Sequence, residues 1–365
     1  MPGDTRNVSK LDGIKPVLVE WKYYGKDMLL DQFVRQANLI ALLSSNDVFR
    51  KFRTLRCTGL INDTSGNKPR RIGLIFESPA APAKTFPVQE MSTFQDYIAV
   101  AEEPELGERF RLARDLSLAV YNLQSVRWLH KSIRSDNIVY FGARPETVKT
   151  PAAAARHRPV SLVPTRPVSA ASPIPETDDE TTGPLDEERP SVKIPDVYLV
   201  GWEFSRPDDP AEISETLSIS TDGYRSRKDA IRLYSHPELL PPPAQGAAWK
   251  RPRYTMEHDV YSFGLILLEI GLWKTLESLR RPCATDAELR QKLAGEYCDR
   301  LLAKTGKIYW EVTRRCILNR FGVELAAGVN QAAEDPRPLP FAFSERVVRM
   351  LEQCSACFES VTPMD

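Results

Sequence analysis

The sequence predicts an α+β fold in which a small strand-rich part is followed by a larger, mostly helical part. Alternating apolar residues at 17–22 and 71–76, bounded by turn residues, are typical of strands. Apolar residues at helical spacing over 107–129 predict a long amphipathic helix. With 365 residues, 42% of them hydrophobic, the chain can bury one large core or two modest ones.

The first 80 residues predict a small sheet with one helix. The strand at 17–22 is followed by a helical pattern over 27–44 that contains no Glu, with Asp31 and Gln36 as its nearest substitutes. Segments 53–60 and 71–76 predict two strands around a turn at 62–67, and 77–79 predicts a hinge. Residues 1–16 are a polar segment with hardly room for two further strands.

Four later segments carry the most specific patterns. His130 and Asn137 stand seven positions apart and are followed by apolar residues, with Ser132 between them. Residues 198–206 read YLVGWEFSR, and residues 234–238 read YSHPE. Residues 259–270 read DVYSFGLILLEI, which predicts a buried helix that begins near Asp259.

Taken in order, these segments resemble the motifs of a protein kinase-like domain, and specifically the divergent, mostly fungal kinase-like proteins. Lys22 ends a run similar to the V-A-I-K strand, residues 130–137 resemble the catalytic loop, and 259–270 resemble the helix D-V-W-S-F-G. The resemblance spans roughly residues 17–357. It implies a two-lobed fold with a small, N-terminally shortened β-rich lobe and a larger mostly helical lobe.

The resemblance also divides the chain into segments. We expect a polar N-terminal segment at 1–16, a small lobe at 17–80, and the first part of the large lobe at 81–141. A Pro/Ser/Thr-rich stretch at 142–195 predicts a disordered insertion, because it has too little apolar surface to offset its ordering entropy. The large lobe then continues over 196–357 and ends in a tail at 358–365.

Several chemical positions of the kinase motifs are degenerate. Ser132 stands where the catalytic Asp is expected, and a hydroxyl cannot serve as a carboxylate base at neutral pH. Gly201 replaces the metal-binding Asp of D-F-G and offers no side-chain oxygen. Lys22 and Asn137 keep the residue types that contact nucleotide phosphates and magnesium. One neutral amide is a weak magnesium site, because Mg²⁺ usually binds at least one carboxylate.

Other motif positions imply structural roles. The resemblance implies that Asp259 accepts hydrogen bonds from the backbone of the loop that contains His130, and that His130 packs against Trp202. It also implies that Glu238 pairs with an arginine late in the chain, for which Arg315 and Arg320 are the candidates.

The resemblance to kinase-like proteins leaves two functions open. The first is a catalytically inactive kinase-like protein, a pseudokinase that acts as a signalling or interaction scaffold through protein partners. The second is an atypical ATP-binding kinase or nucleotide-dependent switch, which requires ATP and magnesium at Lys22, Asn137 and either Glu203 or Asp136. A purely helical interaction protein is a third alternative, and it requires helices at 17–22 and 71–76.

Composition limits the partners and the location. Basic and acidic residues number 49 each, so no net charge favours nucleic acid or an anionic membrane. No apolar run has membrane-spanning length, and the six cysteines lack a disulfide-framework spacing. We therefore expect an intracellular, cytoplasmic protein. Cys354 and Cys357 form a lone C-x-x-C, which predicts two thiols on a terminal helix more than a zinc or redox site.

Overall fold

The computed structural model describes most of the chain outside its long connections. The described residues are 6–11, 15–23, 30–44, 48–63, 71–79, 91–142, 193–209, 225–241, 249–321 and 338–359. Nearly all of the predicted insertion at 142–195, the predicted turn at 62–67 and the tail at 358–365 lie outside them.

The largest sheet has four antiparallel strands. They are β1 (Arg6–Leu11), β2 (Lys15–Tyr23), β3 (Cys57–Asp63) and β4 (Arg71–Glu77), in the spatial order β1-β2-β4-β3. The strands predicted at 17–22 and 71–76 are confirmed, which excludes the purely helical alternative. The strand predicted at 53–60 begins four residues later than expected, at Cys57. Within the described residues, β1 is the one strand that precedes β2.

Two helices connect β2 to β3 in sequence: α1 (Leu30–Leu43) and α2 (Val48–Lys51). Ala37 and Ile40 of α1 are fully buried, as the apolar spacing predicts.

Two smaller sheets follow. The first has the order β5-β7-β8 and contains β5 (Met91–Thr93), β7 (Ile138–Phe141) and β8 (Val197–Leu199). The second pairs β6 (Trp128–Leu129) with β9 (Arg206–Pro207). Because β7 and β8 are antiparallel neighbours, the end of β7 and the start of β8 lie side by side.

The other α-helices of the described chain follow in sequence. They are α3 (Phe94–Val100), α4 (Leu106–Ser125), α5 (Arg225–Tyr234), α6 (Met256–Leu272), α7 (Leu276–Arg280), α8 (Asp286–Ala294), α9 (Glu296–Leu318), α10 (Leu339–Phe343) and α11 (Arg349–Glu359). A π-helical turn, Ser344–Val348, joins the last two. The separate antiparallel sheets and helices agree with the predicted α+β class.

The central helix is α6, which is buried along almost its whole length because its sequence is apolar on every face. It packs closely on α9, where a Cβ at Gly264 would lie 2.8 Å from Cys316 Cβ and 2.9 Å from Ile317 N. A larger residue at 264 would therefore separate the two helices.

The large sheet and the helices share one core. A single hydrophobic cluster contains Leu18 and Leu74 of the sheet together with Phe263 of α6. A backbone hydrogen bond also joins the segment before β3 to β8, because Leu199 N donates to Arg53 O at 2.6 Å. The Arg53 guanidinium also pairs with Asp115 of α4.

A buried glutamate ties three segments of the helical part together. Glu269 Oε1 accepts hydrogen bonds from Leu276 N at 2.6 Å, Tyr234 OH at 2.8 Å and Ser135 Oγ at 3.3 Å. Burial raises the pKa of Glu269 to about 8, so this carboxyl is mostly protonated at neutral pH. Its Oε2 has no hydrogen-bond partner within the described residues.

We predict that Glu269 makes the protein less stable as pH rises. Its pKa is higher in the folded than in the unfolded state, so the folded state binds more protons between about pH 4.5 and 8, and the free energy of unfolding falls across that range. The slope reaches at most about 1.4 kcal/mol per pH unit. Glu269→Gln, neutral at every pH, is expected to remove this contribution in urea unfolding measured between about pH 5 and 8.

Glu102→Gln provides the control for the substitution itself, because it removes an exposed carboxyl group. A stability difference between Glu269→Gln and the natural protein that stays constant over this pH range would contradict a raised pKa at Glu269.

Candidate functional site

The candidate site lies where β2 meets the loop 130–137 and the turn that follows β8. This turn is a short 3-10 helix, Trp202–Phe204, entered through Gly201. Side chains alternate between the two faces of a strand, so Glu20 and Lys22 project from the same face of β2, and that face contacts the turn. Trp21 lies on the other face, where the Arg71 guanidinium stacks 3.9 Å from its ring centroid.

Glu20 binds the backbone at the start of the turn. Its Oε1 accepts from Gly201 N at 2.7 Å, and its Oε2 accepts from Trp202 N at 3.0 Å. Glu20 is only 1% exposed, so these charge-assisted bonds replace much of the water that the carboxylate loses on folding. One carboxylate thus holds two successive amides of the turn.

Lys22 binds the same turn one residue further along. Its Nζ donates to the backbone carbonyl of Glu203 at 2.5 Å, and Lys22 is also 1% exposed. Lys22 therefore does not lie in solvent, and its ammonium is hydrogen-bonded to the protein's own backbone.

Gly201 has a backbone conformation that excludes most other residues. Its φ of 90° lies in the left-handed region, where L-residues are disfavoured. A Cβ at this position would also lie 2.3 Å from Asn137 Nδ2. An Asp at 201 therefore does not fit beside Asn137 in this arrangement.

Asn137 and Ser132 belong to the same buried loop. The Asn137 side-chain amide donates to Ser132 O at 2.8 Å, and Val200 N donates to Asn137 O at 2.9 Å. Ser132 Oγ is buried and has no hydrogen-bond partner within the described residues. The amide of Asn137 thus supports the shape of the loop.

His130 and Trp202 pack together in the interior. Both are fully buried, and their ring centroids lie 4.7 Å apart. Trp202 Nε1 also donates to Leu199 O at 3.3 Å. Trp202 therefore fills the space between the loop and the turn.

Asp259 organises the start of the loop from the first turn of α6. Its Oδ2 accepts from His130 N at 2.7 Å, while Oδ1 accepts from Lys131 N at 2.9 Å and from Tyr254 OH at 2.7 Å. Burial raises the pKa of Asp259, and these three hydrogen bonds oppose that rise. They also fix Lys131 in a left-handed conformation with φ of 65°.

The predicted partner of Glu238 is wrong. Its Oε1 lies 2.5 Å from Nε2 of His258, in the first turn of α6, and not beside Arg315 or Arg320. Arg315 instead lines a shallow groove with Glu345 and Arg346, between α9 and the π-helical turn. The Glu238 side chain is 54% exposed, so its pairing with His258 is not a deeply buried ion pair.

Two further acidic residues were considered as magnesium ligands. Asp136 Oδ1 accepts from Arg134 Nε at 2.8 Å. Glu203 is only 4% exposed, within the turn, so its side chain does not face solvent.

These residues do not fit magnesium ATP. The site has no carboxylate at 201 and no space for one, and Lys22 and Asn137 are bonded to the backbone of the protein itself. We therefore derive no chemical step through ATP or magnesium.

The cysteines do not offer a second chemical site. All six are free thiols. Cys354 and Cys357 lie on α11, as predicted, where Cys354 is buried and Cys357 exposed. Burial raises the pKa of Cys354 to about 11, so this thiol is not ionised at neutral pH and is a poor nucleophile or metal ligand.

Comparisons with known proteins do not assign the chain. No protein-family model and no curated protein matches it. Of the helices in the described parts of the chain, none combines the length and apolarity that crossing a bilayer requires.

We predict that Asp259→Asn lowers the free energy of unfolding by about 1–3 kcal/mol, because asparagine leaves one of the buried donors at His130 or Lys131 without an acceptor. Urea unfolding measures the change. Glu257→Gln is the matched control, since Glu257 is an exposed carboxylate in the same helical turn, and a change within about 0.5 kcal/mol is expected. Equal effects of the two substitutions would contradict the role of Asp259.

Proposed function

We propose that this protein is a catalytically inactive kinase-like protein, a pseudokinase that acts as an interaction scaffold in signalling. In this proposal the sheet-containing residues 17–80 form a small lobe, and 81–141 with 196–357 form a large, mostly helical lobe. The order of elements supports it, because four antiparallel strands with two intervening helices precede the loop 130–137, the β7-β8 pair and the buried helix α6.

The contact between β2 and the turn at 201–203 carries the proposal. In a working kinase the strand lysine, the loop asparagine and a carboxylate after the second hairpin strand bind the phosphates and metal ions. Here Lys22 and Asn137 hold the backbone of the protein, and the carboxylate position is the tightly enclosed Gly201. The groups that remain therefore serve the fold.

The position of the general base supports the same conclusion. Ser132 replaces the expected Asp and is buried, so it offers neither the basicity nor the exposure that proton abstraction from a substrate hydroxyl requires. The general base and the metal ligand act as one catalytic unit. The effects on rate of losing such residues are strongly non-additive.

A role in binding other proteins draws support from the outer strand of the large sheet. β3 is at one end of the strand order, and its neighbouring residues Leu60 and Ile61 are 38% and 40% exposed. An exposed edge strand with apolar residues is a surface on which another chain can pair. The six free thiols support an intracellular, cytoplasmic location.

We predict that ATP does not stabilise the protein. A ligand at 100 times its dissociation constant adds about 2.7 kcal/mol to the free energy of unfolding, which a thermal unfolding titration detects. We expect an unchanged midpoint at millimolar ATP, with and without magnesium, because binding must first break the bonds that Glu20 and Lys22 make to the turn.

Two lysine variants identify the site if the midpoint does move. Lys22→Ala removes the buried ammonium, and Lys51→Ala removes an exposed lysine of α2. A magnesium-dependent rise that persists in Lys51→Ala and disappears in Lys22→Ala would contradict the proposal and favour the nucleotide-dependent switch.

A further inference from the structure

Three potential metal ligands converge where the turn after α5 meets the start of α6. His236 and Glu238 flank Pro237 at the short helical turn that follows α5, and His258 lies in the first turn of α6. Within the described residues, this is the one group of three His, Cys, Asp or Glu side chains whose ligand atoms all lie within 4.8 Å of one another.

The distances are close to those of a metal centre. Glu238 Oε1 lies 3.9 Å from His236 Nδ1 and 2.5 Å from His258 Nε2. Ligands bonded at about 2.1 Å in a tetrahedral Zn²⁺ site are separated by roughly 3.4 Å. The three ligand atoms lie within 4.8 Å of one another, so the partly exposed His236 and Glu238 side chains must both rotate to place them around one ion.

We propose that His236, Glu238 and His258 form a Zn²⁺ site with a fourth position open to solvent. Two imidazoles and one carboxylate are a ligand set that zinc uses in proteins. The His236 and Glu238 side chains are 22% and 54% exposed, so an ion can enter from solvent. This site does not depend on the proposed function.

The hydrogen bonds of the two histidine rings show which contacts zinc binding would change. Glu238 N donates to His236 Nδ1, so this nitrogen carries no proton, and zinc at Nδ1 takes the place of that hydrogen bond. His258 Nδ1 accepts from Thr255 N at 2.9 Å in a capping box, which places the proton of the neutral ring on Nε2. Zinc at Nε2 moves that proton to Nδ1, where Thr255 Oγ1 lies 3.0 Å away as an acceptor. Thr255 N–H then loses its bond to the ring.

Bound zinc would join the turn after α5 to the start of α6. Without the ion, this connection includes the bond between Glu238 and His258, the packing of the His236 ring on the His258 and Tyr261 rings, and the contact of Leu239 with Met256. Zinc is therefore expected to raise the thermal midpoint of unfolding.

Calorimetric titration of the chelator-treated full chain with Zn²⁺ tests the site, with Co²⁺ as a spectroscopic probe. We expect one ion per chain, a tetrahedral Co²⁺ spectrum without a thiolate charge-transfer band, and no heat with Mg²⁺, which prefers oxygen ligands. His236→Ala and Glu238→Gln are each expected to weaken zinc binding at least about 10-fold. Both side chains are partly exposed, so these variants should fold, and circular dichroism checks this.

Two control variants exclude other ligands. His157→Ala removes a histidine outside the described residues, and the double variant Cys354→Ser/Cys357→Ser removes the C-x-x-C thiols; both are expected to retain full affinity. Nitrogen NMR of His258 should show Nδ1 protonated and Nε2 bound to the metal. Absence of zinc binding, or binding unchanged by both His236→Ala and Glu238→Gln, would overturn the proposal.

Discussion

The burial of two opposite charges on one face of β2 is the constraint on which the candidate site depends. Glu20 and Lys22 are each 1% exposed, and taking such groups out of water costs several kcal/mol per ion unless hydrogen bonds replace the lost hydration. The backbone of the turn at 201–203 supplies these bonds, with two amides for the carboxylate and one carbonyl for the ammonium. Any ligand that displaces the turn leaves both charges buried without these partners.

The same constraint accounts for the neighbouring residues. The turn can reach β2 because Gly201 adopts a left-handed conformation and leaves space for the Asn137 amide. Trp202 then enters the interior against His130, and Asp259 fixes the loop from the opposite side. Positions that perform chemistry in a kinase here maintain one packed arrangement, which is the physical basis for proposing an inactive protein.

Local patterns predicted the elements, and long-range contacts limited the prediction of the site. The alternation at 17–22 and the apolar run at 259–270 were sufficient for β2 and α6, because each pattern is set by burial of a continuous segment. Glu20 was missed, although its spacing of two from Lys22 places both on one face. The distant backbone groups that they bind, 181 or more positions away in sequence, have no local pattern.

The partner of Glu238 shows a second limit of sequence reasoning. An arginine was expected from the motif, whereas the nearest basic group is His258, which the capping box of α6 orients toward Glu238. Opposite charge alone does not select a partner, since the backbone decides which side chains come within reach.

Hydrogen exchange at the amides of Gly201 and Trp202, followed by NMR, tests the central claim most directly. Both N–H groups donate to the buried Glu20 carboxylate, so they are expected to exchange slowly, and Glu20→Gln is expected to accelerate both while amides in the middle of α9 keep their rates. Slow exchange that depends on Glu20 would support the closed contact between β2 and the turn. Exchange as fast as in an unstructured chain would contradict it.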